Sequence, residues 1–262
     1  MIHLIHSLTV QGRVIYAVMQ RELRVRHVSS PVGVFSALIE PLGQLLILTA
    51  IFTYMRFRHP AIGDSVVLFL MTGIFTLSCF RGGIAGAERV FERMKKLAIP
   101  EISPLDLMLA GALVNFFTVA CLFYGITVFH VLVYDEHVPR SILLPMVPMA
   151  GVMLMGIGFA GINMTIKIWF PFWGKIFAML LAPINILSGM FYTADTLPPQ
   201  MLKYAWYNPL FHATEACRQW FFYGYDSPLF DPNYFAAWVF GLLFVGVLCE
   251  RVFRYRLLAL KT

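Results

Sequence analysis

A histidine, a glutamate and an arginine follow one another at intervals of three residues in the segment LPPQMLKYAWYNPLFHATEACR, residues 197–218. On a helix, side chains three apart are neighbours, so His212, Glu215 and Arg218 lie within reach of one another. A histidine and a carboxylate at this spacing could ligate one metal ion. Since the sequence places no third ligand nearby, we favour a hydrogen-bonded cluster and expect no metal site.

The sequence carries no motif for ATP hydrolysis. A phosphate-binding loop reads G-x-x-x-x-G-K-[ST], because its backbone amides must cradle phosphate groups. The only Gly-Lys pair is Gly174-Lys175, with Trp169 at the first glycine position and Ile176 at the Ser/Thr position. We therefore predict that the chain is not an enzyme and that it binds no cofactor itself.

The composition indicates an integral membrane protein. Of the 262 residues, 59% are hydrophobic and only 13% are charged, against about 25% charged in soluble domains. A bilayer core needs about 20 mostly apolar residues per helix. Six stretches qualify, and they predict an all-α fold with six transmembrane helices: about 35–55, 65–86, 105–133, 142–166, 175–193 and 234–253. We expect no cleavable signal peptide, with the first span serving as the insertion signal.

The positive charges predict how these spans are oriented. With six spans, 15 of the 20 lysines and arginines fall on the side of both termini. The positive-inside rule therefore places both termini in the cytoplasm, and the net charge of +6 does not indicate a nucleic-acid partner. Charges within the spans are sparse: Glu40 begins the first span and Arg81 lies near the cytoplasmic end of the second. No midplane titratable site for ion coupling is evident, so we expect a partner subunit to supply the energy.

Two charged cytoplasmic segments lie outside the predicted spans. The first, about 18–32, alternates apolar and charged residues as an interfacial helix does, although it could also be a simple topology anchor; its charges are Arg21, Glu22, Arg24 and Arg26. The second, about 88–97, predicts a short helix that Pro100 ends. Its apolar stripe of Val90, Phe91, Met94 and Leu97, with charged neighbours Glu88, Arg89, Glu92 and Arg93, favours docking onto another surface.

The third segment, about 194–222, is predicted on the external side. Pro198 and Pro199 suit a helix start, and Asn208-Pro209 separates a first short helix from a second. Neither helix is long and apolar enough to span, so we predict a re-entrant pair, tolerated at membrane depth when packed against protein. The glycines of the fourth span (Gly151, Gly156, Gly158 and Gly161) predict close helix packing.

These features resemble the ABC-2 type permeases, and most closely the inner-membrane subunits of capsular polysaccharide exporters. The resemblance covers nearly the whole chain. It rests on RELRVR…VGVFSALIEP at 21–41, the six spans, the charged loop after the second span, and GMFYTADTLPPQMLKYAWYNPLFHATEACR at 189–218. The last block is the most specific and includes Tyr207, Asn208, Pro209, His212, Glu215 and Arg218.

The resemblance implies a multi-pass protein of the bacterial inner membrane, working as a homodimer with two copies of a separate ATP-binding subunit that holds ATP and Mg²⁺. It implies export of a lipid-linked acidic polysaccharide toward a periplasmic co-polymerase and an outer-membrane exporter. Residues 20–27 would form the interfacial gate. Residues 88–97 would be the coupling helix, with Phe91 and Met94 packed in the ATPase groove.

Two alternatives stay open at the level of the sequence. The exported glycan could be an O-antigen, a teichoic acid or another lipid-linked polymer. A membrane scaffold or channel without ATP coupling is the alternative of a different class. A neighbouring gene that encodes an ATPase would favour an exporter over a scaffold.

Overall fold

The computed structural model describes the backbone at residues 2–28, 33–54, 60–95, 104–134 and 138–259, and the side chains at 11–24, 39–54, 60–92, 104–134, 138–254 and 256. Within these ranges the regular elements are nine α-helices and a 3₁₀ turn at Ala194–Thr196. The helices are α1 Ile2–Val28, α2 Gly33–Tyr54, α3 Val66–Lys95, α4 Pro104–Tyr134, α5 Met146–Trp169, α6 Trp173–Leu187, α7 Pro199–Ala205, α8 Pro209–Phe221 and α9 Pro232–Ala259.

Four of these helices are long and apolar enough to cross a bilayer: their apolar parts are Val66–Glu92, Pro104–Tyr134, Met146–Trp169 and Pro232–Arg254. They coincide with four of the six predicted spans. The other two predicted spans fall on shorter apolar helices, Ile39–Tyr54 within the described part of α2 and Trp173–Leu187. The integral membrane helical class is therefore supported, while the count of long spans within the described residues is four.

The centre of the fold is formed by α3 and α5. The apolar parts of both helices are mostly buried, whereas only 22% of the most apolar stretch of α4 and of α9 is buried; these two helices present side chains such as Leu132, Phe240 and Phe244 outward. Apolar side chains on the outer face of a spanning helix match the hydrocarbon around it, so α4 and α9 are suited to contact lipid. The inner helices α3 and α5 in turn support α8.

Glycines let these helices approach closely, as the sequence predicts for the fourth span. A Cβ atom on Gly156 of α5 would lie 2.5 Å from the carbonyl oxygen of Phe80 on α3. Gly158 of α5 faces Gly246 of α9, and a Cβ on either residue would overlap the backbone of the other helix. In lipid, helices associate through van der Waals packing of this kind, because there is no hydrophobic driving force between them.

The N-terminal helix is longer than the interfacial helix expected at 18–32, because α1 begins at Ile2 and ends at Val28. Val18 packs against Val90, Leu107 and Ala110, and Gln11 donates a 3.1 Å hydrogen bond to Asp106. These contacts hold α1 against the end of α3 and the start of α4. Residues 29–32 lie outside the described residues.

The expected coupling helix is not a separate element in the described residues. Residues 88–95 are the last part of α3, which continues without a break to Lys95. Val90 is 3% exposed and Phe91 2% exposed, packed inside this chain's own apolar clusters. The surface of Phe91 is thus covered within this chain itself, and the expectation that Phe91 packs in an ATPase groove stays a prediction. The side chains of Arg93 and Met94, and all of Leu97, lie outside the described residues.

The contact of Gly158 with Gly246 generates a prediction about packing. We expect Gly158→Ala to destabilise the protein by about 1–3 kcal/mol, the usual effect of overpacking, since its Cβ would overlap the backbone of Leu242. Gly241→Ala on α9 is the matched control, because a Cβ there meets nothing within 4 Å. Thermal unfolding of the purified proteins in detergent checks this, and equal melting temperatures for the two variants would contradict it.

Candidate functional site

Asn208 ties the segment that contains α7 and α8 to the end of α6. Its side-chain oxygen accepts a 3.0 Å hydrogen bond from the Leu210 amide, which caps the start of α8. Its amide group donates to the Leu187 carbonyl at 3.2 Å and to the Ser188 hydroxyl at 3.0 Å. Pro209 occupies the first turn of α8, where no intrahelical donor is required. One side chain thus starts α8 and fixes its position relative to α6.

The chain after α6 is irregular, and α8 satisfies its carbonyl groups. Gly189 adopts a φ of +74°, a left-handed conformation that favours glycine. The Thr214 hydroxyl donates to the Ser188 carbonyl at 2.9 Å. Arg218 donates to the Tyr192 carbonyl at 2.6 Å and to the Met190 carbonyl at 3.3 Å. Backbone acceptors that would be costly to leave unpaired at membrane depth therefore receive donors from side chains of α8.

Glu215 and Arg218 form the predicted pair. Their side chains are 3.3 Å apart and both are 0% exposed. The guanidinium of Arg218 also lies 4.4 Å from the centre of the Phe69 ring on α3, within the range of a cation–π contact. The charge of Arg218 is thus compensated by a carboxylate, by carbonyl oxygens and by an aromatic face.

Glu215 accepts further hydrogen bonds from the segment that follows α8 and from the 3₁₀ turn before α7. It accepts hydrogen bonds from the Ser227 hydroxyl at 2.6 Å, from the Ala194 amide at 3.3 Å and from the Tyr225 hydroxyl. Burial and the Glu215 carboxylate raise the pKa of Tyr225, so this tyrosine stays a donor. Glu215 therefore joins the 3₁₀ turn, α8 and the segment before α9.

His212 is buried in the same helix but bonds elsewhere. Its Nε2 lies 2.7 Å from the Trp206 carbonyl and its Nδ1 accepts a 3.1 Å hydrogen bond from the Asp231 amide. These partners fix a neutral ring with the proton on Nε2, because Nδ1 must accept. Burial lowers the pKa of His212 although Asp231 and Glu215 are nearby. Both ring nitrogens are already engaged, so the ring offers no free position to a metal ion.

Tyr207 differs from its buried neighbours in the motif. Its side chain is 64% exposed, while its carbonyl accepts a 2.8 Å hydrogen bond from the Tyr234 hydroxyl. The structure thus brings Asn208, Glu215 and Arg218 together around the end of α6, holds His212 against the start of α9, and leaves the Tyr207 ring outside the cluster.

A second feature is a large groove between α2, α3 and α6. Its volume is about 1120 Å³, and its lining mixes apolar side chains such as Leu48 and Phe177 with polar ones such as Asn115 and Asn185. Two ion pairs lie along it. Arg81 is 3.4 Å from Glu40, and Lys167 of α5 is 2.7 Å from Glu88 of α3.

The structure disperses the residues expected in the gate and in the coupling helix. Glu22 is 5% exposed and lines the groove, while Arg21 and Arg24 are exposed on α1. Glu88 faces Lys167, whereas Arg89 and Glu92 are exposed near the end of α3. The side chain of Arg26 lies outside the described residues.

The sequence reasoning missed the contacts around Arg81. It treated Arg81 and Glu40 as span boundaries, yet α3 continues for 14 residues beyond Arg81 to Lys95. The available signal was an arginine inside an apolar stretch, since ionisable residues in such segments usually mark a functional path. The Lys167–Glu88 pair carried no sequence signal, because its members are 79 residues apart.

The buried pair around Arg218 generates a stability prediction. Arg218→Ala leaves Glu215 without its cation and two carbonyls without donors, and breaking a buried pair costs about 3–5 kcal/mol. Arg140→Ala is the control: Arg140 forms an exposed 3.4 Å pair with Asp226, worth about 0–1 kcal/mol. We expect a large fall in melting temperature for the first variant and a small one for the second. Similar melting temperatures would contradict the importance of the Glu215–Arg218 pair.

His212 generates a prediction about pH. Since burial lowers its pKa in the folded protein, its stabilising contribution is complete above the ordinary pKa of about 6.5 and is lost as the pH falls through the folded-state value. His212→Gln, which does not titrate, should be less stable than the unmodified protein at pH 7.5, with a smaller difference at pH 5. Thermal unfolding at both values measures this. A difference that does not change with pH would argue against a neutral, buried His212.

The chain is similar in sequence to known transport proteins over most of its length. The chain is 27% identical over 251 residues to the polysialic acid transport protein KpsM of Escherichia coli, covering 92% of this chain and 94% of that protein. It is 23% identical over 251 residues to the capsule polysaccharide export inner-membrane protein CtrC of Neisseria meningitidis serogroup A, covering 93% and 92%. It is also 25% identical over 224 residues to the capsule polysaccharide export inner-membrane protein BexB of Haemophilus influenzae, covering 82% of each.

Residues 13–222 match the ABC-2 type transporter family. The matched range begins in α1 and runs through the Glu215–Arg218 pair to the residue after α8, so it includes both the groove and residues 194–222. The chain belongs to the ABC-2 type transporter family.

Proposed function

We propose that the chain is the membrane-spanning permease subunit of an ATP-driven exporter that moves lipid-linked capsular polysaccharide from the cytoplasm across the inner membrane. The relatives whose names describe capsule export cover 82% to 93% of this chain, which supports the proposal. The single observation that carries it is the groove of about 1120 Å³. This volume exceeds the roughly 300–1,000 Å³ of a typical small-molecule site.

The lining of the groove suits a glycan. Sugar rings present both apolar faces and hydroxyl groups, so they need apolar surface beside hydrogen-bonding side chains. The groove offers Leu48, Phe177 and Phe191 beside Gln44, Asn115 and Asn185. A path for simple ions or for lipid alone would not call for this mixture over so large a volume.

We propose six crossings with both termini in the cytoplasm. The α2 helix has 22 residues and is about 33 Å long at 1.5 Å per residue, enough for a hydrocarbon core of about 30 Å. The α6 helix has 15 residues, about 22 Å, and it is followed by an irregular segment in which the Ser188, Met190 and Tyr192 carbonyls accept hydrogen bonds from α8. The excess of lysine and arginine on the side of the termini supports the orientation, and the re-entrant segment is then external.

We propose that a second copy of the chain faces the groove, giving a homodimer. Exposed apolar side chains on α2 and α6 flank the groove, among them Leu46, Ile47 and Met179. ATP and Mg²⁺ would be bound by two copies of a separate subunit, since the chain has no phosphate-binding loop. A periplasmic co-polymerase and an outer-membrane exporter would receive the polymer.

The end of α3 is the proposed contact with the ATP-binding subunit, through charged residues rather than through Phe91. Arg89 and Glu92 are exposed there, one turn apart. Glu88, on the same turn, is 2.7 Å from Lys167 at the end of α5. A push on the end of α3 would therefore be passed to α5 and to the groove, which Glu88 and Lys167 both line.

The export function is tested in a strain whose own copy of the gene is deleted. We expect capsular polymer to accumulate inside the cells, and plasmid-borne expression of the chain to restore polymer at the surface. An inactive phosphate-loop variant of the partner ATPase is the control and should reproduce the deletion. Normal surface polymer in the deletion strain would refute the proposed function.

Substitutions at Phe91 and Glu92, at the end of α3, distinguish a structural role from a role in coupling to the ATP-binding subunit. Phe91→Ala should lower the melting temperature strongly, since truncating a buried phenylalanine costs about 3–5 kcal/mol. Glu92→Lys should leave the melting temperature unchanged, because the side chain is exposed, yet should reduce recovery of the ATP-binding subunit on co-purification. Normal co-purification and export by Glu92→Lys would remove this end of α3 from the proposed interface.

A further inference from the structure

The groove contains an arginine that is held firmly by neutral groups and only loosely by its counter-ion. Arg81 donates 3.0 Å hydrogen bonds to the side-chain oxygens of Gln44 and Ser78. Its carboxylate partner Glu40 is farther away, at 3.4 Å, and the Glu40 side chain is 72% exposed against 19% for Arg81. Because the Glu40 side chain is mostly solvated, its carboxylate can leave while Gln44 and Ser78 keep the guanidinium in place.

The other ion pair of the groove does not share this property. Lys167 and Glu88 approach to 2.7 Å, and their side chains are only 35% and 21% exposed. Charged groove residues in the described part of the chain are balanced between acidic (Glu22, Glu40, Glu88) and basic (Arg81, Arg89, Lys167) side chains. The groove therefore presents no broad positive field, and an acidic ligand must be recognised at a discrete position.

A second polar side chain lines the same groove. Asn185 of α6 is 5% exposed and lines the groove, and its Oδ1 has no hydrogen-bond partner among the residues that the structure describes. A buried acceptor without a donor carries a free-energy cost of about 1–3 kcal/mol. A ligand hydroxyl that donates to this oxygen would remove that cost.

From these observations, and resting on the proposed function, we infer that Arg81, Gln44, Ser78 and Asn185 form a binding position for an acidic sugar unit, at which an anionic oxygen of the ligand replaces Glu40 on Arg81. The ligand oxygen is a carboxylate of the polymer or the phosphate that joins the polymer to its lipid. No covalent step is involved. The Glu40 carboxylate moves into the open groove, and a sugar hydroxyl donates to Asn185.

If a ligand oxygen replaces Glu40 on Arg81, then removing the Glu40 charge should strengthen binding. Glu40→Gln removes a competitor for Arg81 while leaving Arg81 in place, so it should tighten binding of an acidic ligand by about threefold. Arg81→Gln removes the cation and should weaken the same binding by about tenfold or more. A variant that gains affinity cannot be explained by misfolding, so Glu40→Gln keeps the inference testable even if Arg81→Gln folds poorly.

The experiment is calorimetric titration of the purified full-length protein in lipid nanodiscs, without the ATP-binding subunit. The probes are a tetramer of hexuronic acid, glucose 1-phosphate and neutral maltotetraose. We expect the two acidic probes to follow the order Glu40→Gln, unmodified protein, Arg81→Gln from tightest to weakest. The tighter of the two identifies carboxylate or phosphate as the anionic source.

Neutral maltotetraose distinguishes the contribution of Arg81 from that of Asn185. Its binding should be unaffected by the changes at Glu40 and Arg81 and weakened by Asn185→Leu. Unchanged binding of both acidic probes in Arg81→Gln, or weaker binding in Glu40→Gln, would overturn the inference. These titrations need neither ATP nor export. Normal surface polymer in the deletion strain, together with the expected titrations, would refute the exporter but not the binding position. Loss of surface polymer in the deletion strain, together with titrations that contradict the expected order, would refute only the binding position.

Discussion

The fully buried guanidinium of Arg218 connects three parts of the chain. It lies over the Phe69 ring of α3, pairs with Glu215 within α8 and donates to two carbonyls of the irregular chain after α6. A buried cation is costly unless its charge and its donors are compensated. The positions of α3, α8 and the chain between α6 and α7 are thus fixed relative to one another by the requirement to compensate one side chain.

The same requirement explains how α6 can end after 15 residues. Irregular backbone at membrane depth is tolerated only where other groups satisfy it. Side chains of the α8 segment supply the donors: Asn208 bonds the Leu187 carbonyl, Thr214 bonds that of Ser188 and Arg218 bonds those of Met190 and Tyr192. The short helices α6 and α8 therefore depend on each other, since side chains of the α8 segment satisfy the carbonyl groups at the end of α6 and just beyond it.

The charged and polar groups of the groove are held differently from those around α8. The Arg218 charge is paired with a fully buried carboxylate, whereas the groove keeps an exposed carboxylate beside Arg81 and an Asn185 oxygen that has no partner within the described residues. Rigid packing of α3 against α5, through glycine contacts, gives the wall that carries Arg81 a defined shape. A transporter must release its cargo after binding it, and contacts that can be exchanged for the protein's own groups suit that purpose better than a permanently vacant charge.

Sequence by itself determined the membrane class, the family resemblance, the glycine packing of the fourth span and the Glu215–Arg218 pair. Each of these depends on composition or on neighbours within one helix, where spacing along the chain fixes spacing in space. Tertiary structure alone decided that Phe91 is covered by its own chain, that Glu88 meets Lys167, and that Arg81 bonds to Gln44 in the groove. An apolar stripe shows that a surface will be buried but not by which partner. Contacts between residues 37 to 79 positions apart are set by how the helices pack, which no local spacing records.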